Sequence, residues 1–458
     1  MTPEDSSTTE LSGWGRTIHR QTQVRRPVSD GGLVDLVLAE QRITVRGAGK
    51  SYGDAALPEH GIVLDMTGRD RIISFDQSNG VIVVEAGALL KDIIEQTLPL
   101  GWMLPVVPGT ERITVGGAIG CDVHGKNHPG AGSFGQHVLW LALLRSDGTV
   151  TQLSAGHDPD GFWATIGGMG LTGVILQTAI QLQHIETGWA LRNRLRTRSL
   201  DQTVSVLRNL ADRQETDPNH HVIAWLDGHA AGDSLGRGIV DEFRPSTTRE
   251  LPAVVPPFPE RREHPARRAR RSLPGPGVMS KATIVAASTA RWHLSRSGNA
   301  QLVPLHSALC PLDRAELWPT AFGRAGLIQY QFAVPRGEVS VLRKALTFLV
   351  AHRMTPALAT LKNLGFGTAG PLSFPIPGWT LAVDLPARWL RDPEILRPID
   401  KMVAAAGGRV YLAKDVLTDP SLIPTMYPRL EDWRRTRARM DPGRRWTSAL
   451  AERLGLVQ

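Results

Sequence analysis

Cysteine is nearly absent. Cys121 and Cys310 are the two in 458 residues and lie far apart, so they make neither a disulfide framework nor a metal-ligand cluster, and no metal is expected. Such a chain suits a reducing compartment. No apolar run reaches the ~20 residues of a membrane span, and MTPEDSSTTELSGWGRT lacks the basic and apolar regions of a signal peptide. The expectation is a cytoplasmic protein, or one lying peripherally at the cell membrane. Aromatic residues are also scarce, with four tyrosines and ten phenylalanines. The formal charge of +8 favours an anionic partner. Because no basic run is interleaved with aromatics and no reader motif occurs, that partner is not expected to be nucleic acid. An acidic lipid surface or a phosphorylated substrate remains.

Glycine, by contrast, is concentrated. Residues 108–138, PGTERITVGGAIGCDVHGKNHPGAGSFGQHV, hold eight glycines among thirty-one residues, interleaved with Thr114, Asp122, His124, Lys126 and His128. A backbone of this kind passes close to something large while offering it N–H groups and polar side chains. A flat, charged cofactor fits. A flexible linker does not, since it would be rich in serine and poor in Ile113, Val115, Ile119 and Val123. Upstream, RGAGKSYGD at 46–54 reads as a turn leaving a strand, whose N–H groups could form a nest for a diphosphate. Its glycine spacing is neither the dinucleotide fingerprint nor a Walker loop.

Short strands are expected at 43–46, 62–65, 71–75 and 81–85, each bounded by Gly, Asp or Asn. Apolar spacing predicts a helix over 88–98. A hairpin joins 138–144 to 149–153 around Ser146, Asp147 and Gly148, and 174–182 reads as a strand alternating into the core. Near residue 186 the texture changes. Residues 252–277 are dense in proline and arginine and read as an exposed mobile loop, with Arg261, Arg262, Arg267, Arg268, Arg270 and Arg271 placed to meet anionic headgroups; a solvated loop without a partner is the competing reading. From 327 onward, strand (327–334), helix (337–352), strand (357–362), strand (379–385), helix (393–406) and strand (409–415) predict an antiparallel sheet backed by helices, hence an α+β fold. Three parts follow: 1–186, 187–408, and 409–458 returning to the first, with a cationic helix in 426–446 anchored by Trp433. Within the predicted sheet Gln329 and Gln331 share a face. Lys414, taken at period two, shares one with Val410 and Leu412, so its ammonium either escapes to water at a frayed end or faces an anion.

RGAGKSYGD, PGTERITVGGAIGCDVHGKNH and FWATIGGMGLTGVI together resemble the FAD-binding domain of vanillyl-alcohol-oxidase-like flavoproteins. That resemblance implies a two-domain flavoprotein whose cofactor-binding residues are Arg46, Gly47, Ala48, Gly49, Lys50, Ser51, Gly109, Thr114, Gly116, Gly117, Ala118, Cys121, Asp122, His124, Gly125, Asn127, Gly173, Val174, Ile175, Tyr411 and Lys414. Families with covalent flavin commonly carry histidine where this chain has Lys50, so the FAD is expected to be non-covalent. With GWGRT, GSFGQH, LIQYQF, SFPIPGW, YLAKD and MYPR added in order, the chain is similar from end to end to the family of decaprenylphosphoryl-β-D-ribose oxidases. The resemblance implies oxidation of the ribose 2′-hydroxyl of a polyprenyl-phosphoribose, followed by the action of a partner NAD(P)H-dependent keto-reductase. It also implies Tyr52, His124, Gln331 and Lys414 as catalytic residues, with Lys126, Lys362, Thr380, Ala382 and Trp14 around the substrate. Neutral His124 is then the best-tuned proton acceptor. Lys414 either stabilises charge on the reduced ring or holds the phosphate. Members of that family typically carry Asn at the position of Thr380 and Cys at that of Ala382. An oxidase of a small polyol or sugar lactone, and a flavoprotein without catalysis, are the alternatives.

Overall fold

Among the described residues three larger sheets and a two-stranded one, Trp102–Met103 with Gln183–His184, carry the chain, assembled from short runs that glycine, aspartate and asparagine punctuate. In the computed structural model, residues 7–260, 277–311, 313, 318–388, 392 and 394–457 are described. The first sheet has the order Ser7–Ser12, His19–Arg25, Ile62–Asp65, Ile43–Arg46. Its inner pairs are parallel, because helix Asp30–Ala39 carries the chain back between them. Ser29 starts that helix by accepting from the Gly32 amide. The second sheet is an antiparallel five, in the order Ile72–Asp76, Val81–Glu85, Val174–Gln181, Val138–Leu144, Val150–Leu153. The expected hairpin is there. Val174–Gln181 does not alternate, however: lying between two strands and covered on both sides, it is buried at six of eight positions, which removes the period-two signal.

The third sheet holds eight antiparallel strands in the order Gly298–Pro304, Trp189–Thr197, Gly238–Pro245, His221–Leu226, Leu358–Leu364, Gly378–Pro386, Leu327–Pro335, Arg409–Val410. Helices Leu200–Thr216, Val339–Ala351 and Arg397–Ala405 contribute Leu207, Leu342, Leu346 and Ile399 to the core on its back, against Phe332, Leu361 and Leu381. The fold is α+β. The helix over 393–406 begins later than expected, at Arg397.

One expectation fails. The strand at 409–415 stops at Val410 and continues as a tight turn over Leu412–Lys414, so strand parity does not govern Lys414. Beyond it, helix Leu430–Met440 packs against helix Pro159–Thr165: Trp433 is fully buried and its indole N–H donates to the Ala164 carbonyl at 3.0 Å. Arg453 bridges the carboxylates of Asp54 and Asp415, each at 2.9 Å, clasping the end of the 46–54 turn. The six arginines of the proposed membrane contact fall outside the described residues.

Candidate active site

The unbacked face of the third sheet meets the two glycine-rich loops of the first domain. Pairing sets that face: Lys362 opposes Thr380, which opposes Ala333, while Thr360 opposes Ala382, which opposes Gln331. Lys362, Thr380, Ala382, Gln329, Gln331 and Asp384 therefore project to one side. The face that carries Gln329 and Gln331 is turned inward and not to solvent, since both residues are buried.

Across from it stands His124, delivered by the glycine run after the short helix Val115–Gly120. Its Nε2 lies 3.1 Å from the Gln331 side-chain nitrogen, and that nitrogen lies 3.0 Å from Thr380 Oγ1. Phe374 and Tyr411 box the imidazole, with ring centroids at 5.4 and 5.3 Å. Burial first, then the positive charges of Lys362, His128 and Lys414, hold its pKa well below the ordinary histidine value. His124 is neutral. Lys362 donates to the Gly125 carbonyl at 3.3 Å, and burial with the neighbouring Lys126 and Lys414 brings its pKa down to about 7. Lys414, held to about 8 by burial but supported by Asp384, sets its ammonium 4.0 Å from the centroid of the Tyr52 ring. It does not fray away. The Tyr52 hydroxyl in turn receives a bond from Gln329 at 3.2 Å, and Gln329 also holds Asp384.

The loops fit a dinucleotide-sized flavin. Among the described residues, none accepts a hydrogen bond from the amides of Gly47, Ala48, Gly49 or Ser51, so the turn offers a row of free donors of the kind that cradles a diphosphate. Gly49 reaches this shape at φ +62°, and a Cβ on Gly47 would stand 2.1 Å from Thr114 Oγ1, the atom that caps Val115–Gly120 through the Gly117 amide. Around Gly109 there is open space. Ser51 Oγ and Cys121 Sγ, from the two loops, are 3.9 Å apart, and Tyr411 donates to the Cys121 carbonyl at 2.8 Å. Asp122 ties the glycine run to the third sheet by accepting from Ser373, Thr368 and the Gly135 amide; burial nevertheless raises its pKa to about 6.

Other expected residues stand apart from this cluster. Lys126 is buried and its ammonium donates to the Leu309 carbonyl. Trp14 stacks under the Lys50 ammonium, 3.8 Å from the ring centroid, so the position of the usual covalent histidine is turned toward the N-terminal segment. Asn127 braces the Pro105 and Pro218 carbonyls. Gly116 and Ala118 sit inside the short helix, where a Cβ on Gly116 would press on Ala86 at 3.1 Å. Gly173 leads into Val174 and Ile175, whose side chains belong to core clusters. Residue reasoning missed Asp384, Gln329 in its pairing role, and Phe374. Asp384 had a signal: an acid in phase with Thr380 and Ala382 in an otherwise apolar strand.

A model of the FAD binding domain matches residues 34–154. The chain is 35% identical to the decaprenylphosphoryl-β-D-ribose oxidase of Mycolicibacterium smegmatis, covering 99% of this chain and 98% of that one. It is also similar to the L-gulonolactone oxidase of Mus musculus, at 31% identity over 38% of this chain and 40% of the relative.

Proposed function

Because the chain belongs to the family of FAD-dependent decaprenylphosphoryl-β-D-ribose oxidases, we propose that it takes a hydride from C2 and a proton from the 2′-hydroxyl of a polyprenyl-phosphoryl-β-D-ribose, two electrons and two protons in all, leaving the 2′-keto sugar. The observation that carries this reading is the convergence of half-buried Lys362 and Lys414 on neutral His124, opposite a turn with unpaired amides. FAD, when bound, supplies the acceptor for the hydrogen and electron pair leaving the carbinol carbon. Arg46, the amides of residues 47–51, Thr114 and the glycine run to Asn127 would hold it, and Lys50, engaged with Trp14, leaves it non-covalent.

The chain's own residues supply the rest. The hydroxyl proton needs a neutral acceptor, and two groups in the site are neutral near pH 7: His124, and the part of Lys362 that a pKa of about 7 leaves deprotonated. Lys414 is mostly charged there and stabilises negative charge, on the sugar phosphate or on the oxygen. The Lys414 charge favours an anionic substrate over a neutral lactone, and the likeness to the lactone oxidase covers 38% of the chain. A 2′-keto product of this kind calls for a hydride-donating reductase as the consuming partner, to complete the epimerisation to the arabinose donor of a cell-wall arabinan. A polyprenyl chain requires contact with a bilayer, made peripherally; no described helix is long and apolar enough to cross a membrane.

Trapping the product tests the chemistry. Borodeuteride added to a turnover mixture should place deuterium at C2 of both ribose and arabinose. Label at another carbon, or none, would overturn the assignment.

A further inference from the structure

The hydrogen bonds under the sheet face form a chain with few choices of direction. Thr380 Oγ1 lies 2.9 Å from the Phe332 carbonyl, which can only accept, so the single hydroxyl proton is committed there. Thr380 can then only accept from Gln331, 3.0 Å away. The group of Gln331 that faces it must therefore be the amide nitrogen; the reversed orientation would set an oxygen against a hydroxyl with no proton left to give. That same nitrogen stands 3.1 Å from His124 Nε2 and brings it the second N–H. Nε2 must be bare. A neutral imidazole carries one N–H, so it is on Nδ1, which is buried and without a partner among the described residues.

We propose that Thr380 is a positioning residue: through Gln331 it fixes His124 in the Nδ1–H tautomer, so that His124 offers a hydrogen-bond donor, and not a lone pair, to an oxygen bound in the site. The inference rests on the oxidase reading for the identity of that oxygen, the 2′-oxygen of the sugar. A donor aimed there orients the carbinol and stabilises the oxygen as its proton departs, while the proton itself goes elsewhere; the Lys362 amine remains as its acceptor. The orphaned Nδ1 is explained, since leaving a buried donor unpaired is costly unless a ligand completes it. A threonine hydroxyl suffices for this arrangement, which gives a role to a residue where relatives were expected to carry asparagine.

Two readouts test it on the full-length protein. The first needs no substrate: long-range 15N–1H correlation of the histidine rings, with the His124 signals identified by their loss in His124→Gln. The parent should show a bare Nε2 and a protonated Nδ1 at His124, Thr380→Ser should keep that pattern, and Thr380→Val should shift it toward Nε2–H. The second is flavin reduction by a polyprenyl-phosphoribose, which should slow about a hundredfold in Thr380→Val, the scale of losing one oriented donor, and stay near parental in Thr380→Ser. Nε2–H in the parent would overturn the proposal, as would an unchanged tautomer in Thr380→Val. If Thr380→Val does not fold, the parent and Thr380→Ser spectra still decide the tautomer. Failure of the phosphoribose to reduce the flavin, with the tautomer as stated, would sink the substrate and leave the tautomer standing.

Discussion

At the scale of residues, the account turns on which group is neutral and which is charged. Lys362, at about 7, must be neutral to take a proton, and Lys414, at about 8, must be charged to stabilise an anion. The kcat/KM profile should therefore rise with pH through about 7 and fall above about 8. Lys362→Met should abolish the rising limb and cost about two to four orders of magnitude. Lys414→Met should lose about two to three orders with FAD retained. If His124 were the proton acceptor instead, the rising limb would sit far lower, because burial and its cationic neighbours depress that imidazole. A profile rising below pH 6 would thus contradict the Lys362 assignment. Gly47 gives an independent check on the cofactor loop: Gly47→Ala drives a methyl into Thr114 Oγ1, so the variant should emerge from gel filtration with most of its flavin lost. Flavin content equal to the parent would place the diphosphate elsewhere. Lys50 makes a further point about the bound cofactor, since acid precipitation should release all the flavin into the supernatant, and flavin in the pellet would show a covalent link.

At the scale of elements, the sequence was readable where a period met a clear boundary. Ile43–Arg46, Ile62–Asp65 and Val81–Glu85 stand where glycine and aspartate punctuation put them, and the hairpin at Val138–Leu144 and Val150–Leu153 has its turn residues. Parity failed where tertiary packing replaced the ladder. Lys414 is held by a tight turn and an aromatic ring, so the right environment was reached from the wrong element. The hydrogen-bond chain from Thr380 to His124 was out of reach, because it joins residues far apart in sequence whose meeting no local pattern records. Trp433 was legible as an anchor: the one aromatic residue of the cationic helix Leu430–Met440 has few other uses. Its indole fills the core and caps the Ala164 carbonyl, so Trp433→Ala should cost roughly 3–5 kcal/mol in chemical denaturation and loosen the C-terminal segment from the flavin domain. A loss under 1 kcal/mol would mean that the segment is held by Arg453 and its two carboxylates instead.

At the scale of the whole molecule, a flavin domain of widely shared design is closed by a sheet that supplies the chemistry of choice. The likeness to the mouse lactone oxidase covers 38% of the chain, whereas that to the phosphoribose oxidase covers 99%. Selectivity should therefore reside in the third sheet and in the adjoining turn, whose Lys414 ammonium selects for an anionic sugar. The direct test is anaerobic bleaching of the purified flavoprotein in the stopped-flow instrument, with a polyprenyl-phosphoryl-β-D-ribose in one syringe and, in a parallel run, L-gulono-1,4-lactone. The account predicts rapid loss of the oxidised flavin absorbance with the phosphoribose and none with the lactone. Bleaching by the lactone alone would contradict it.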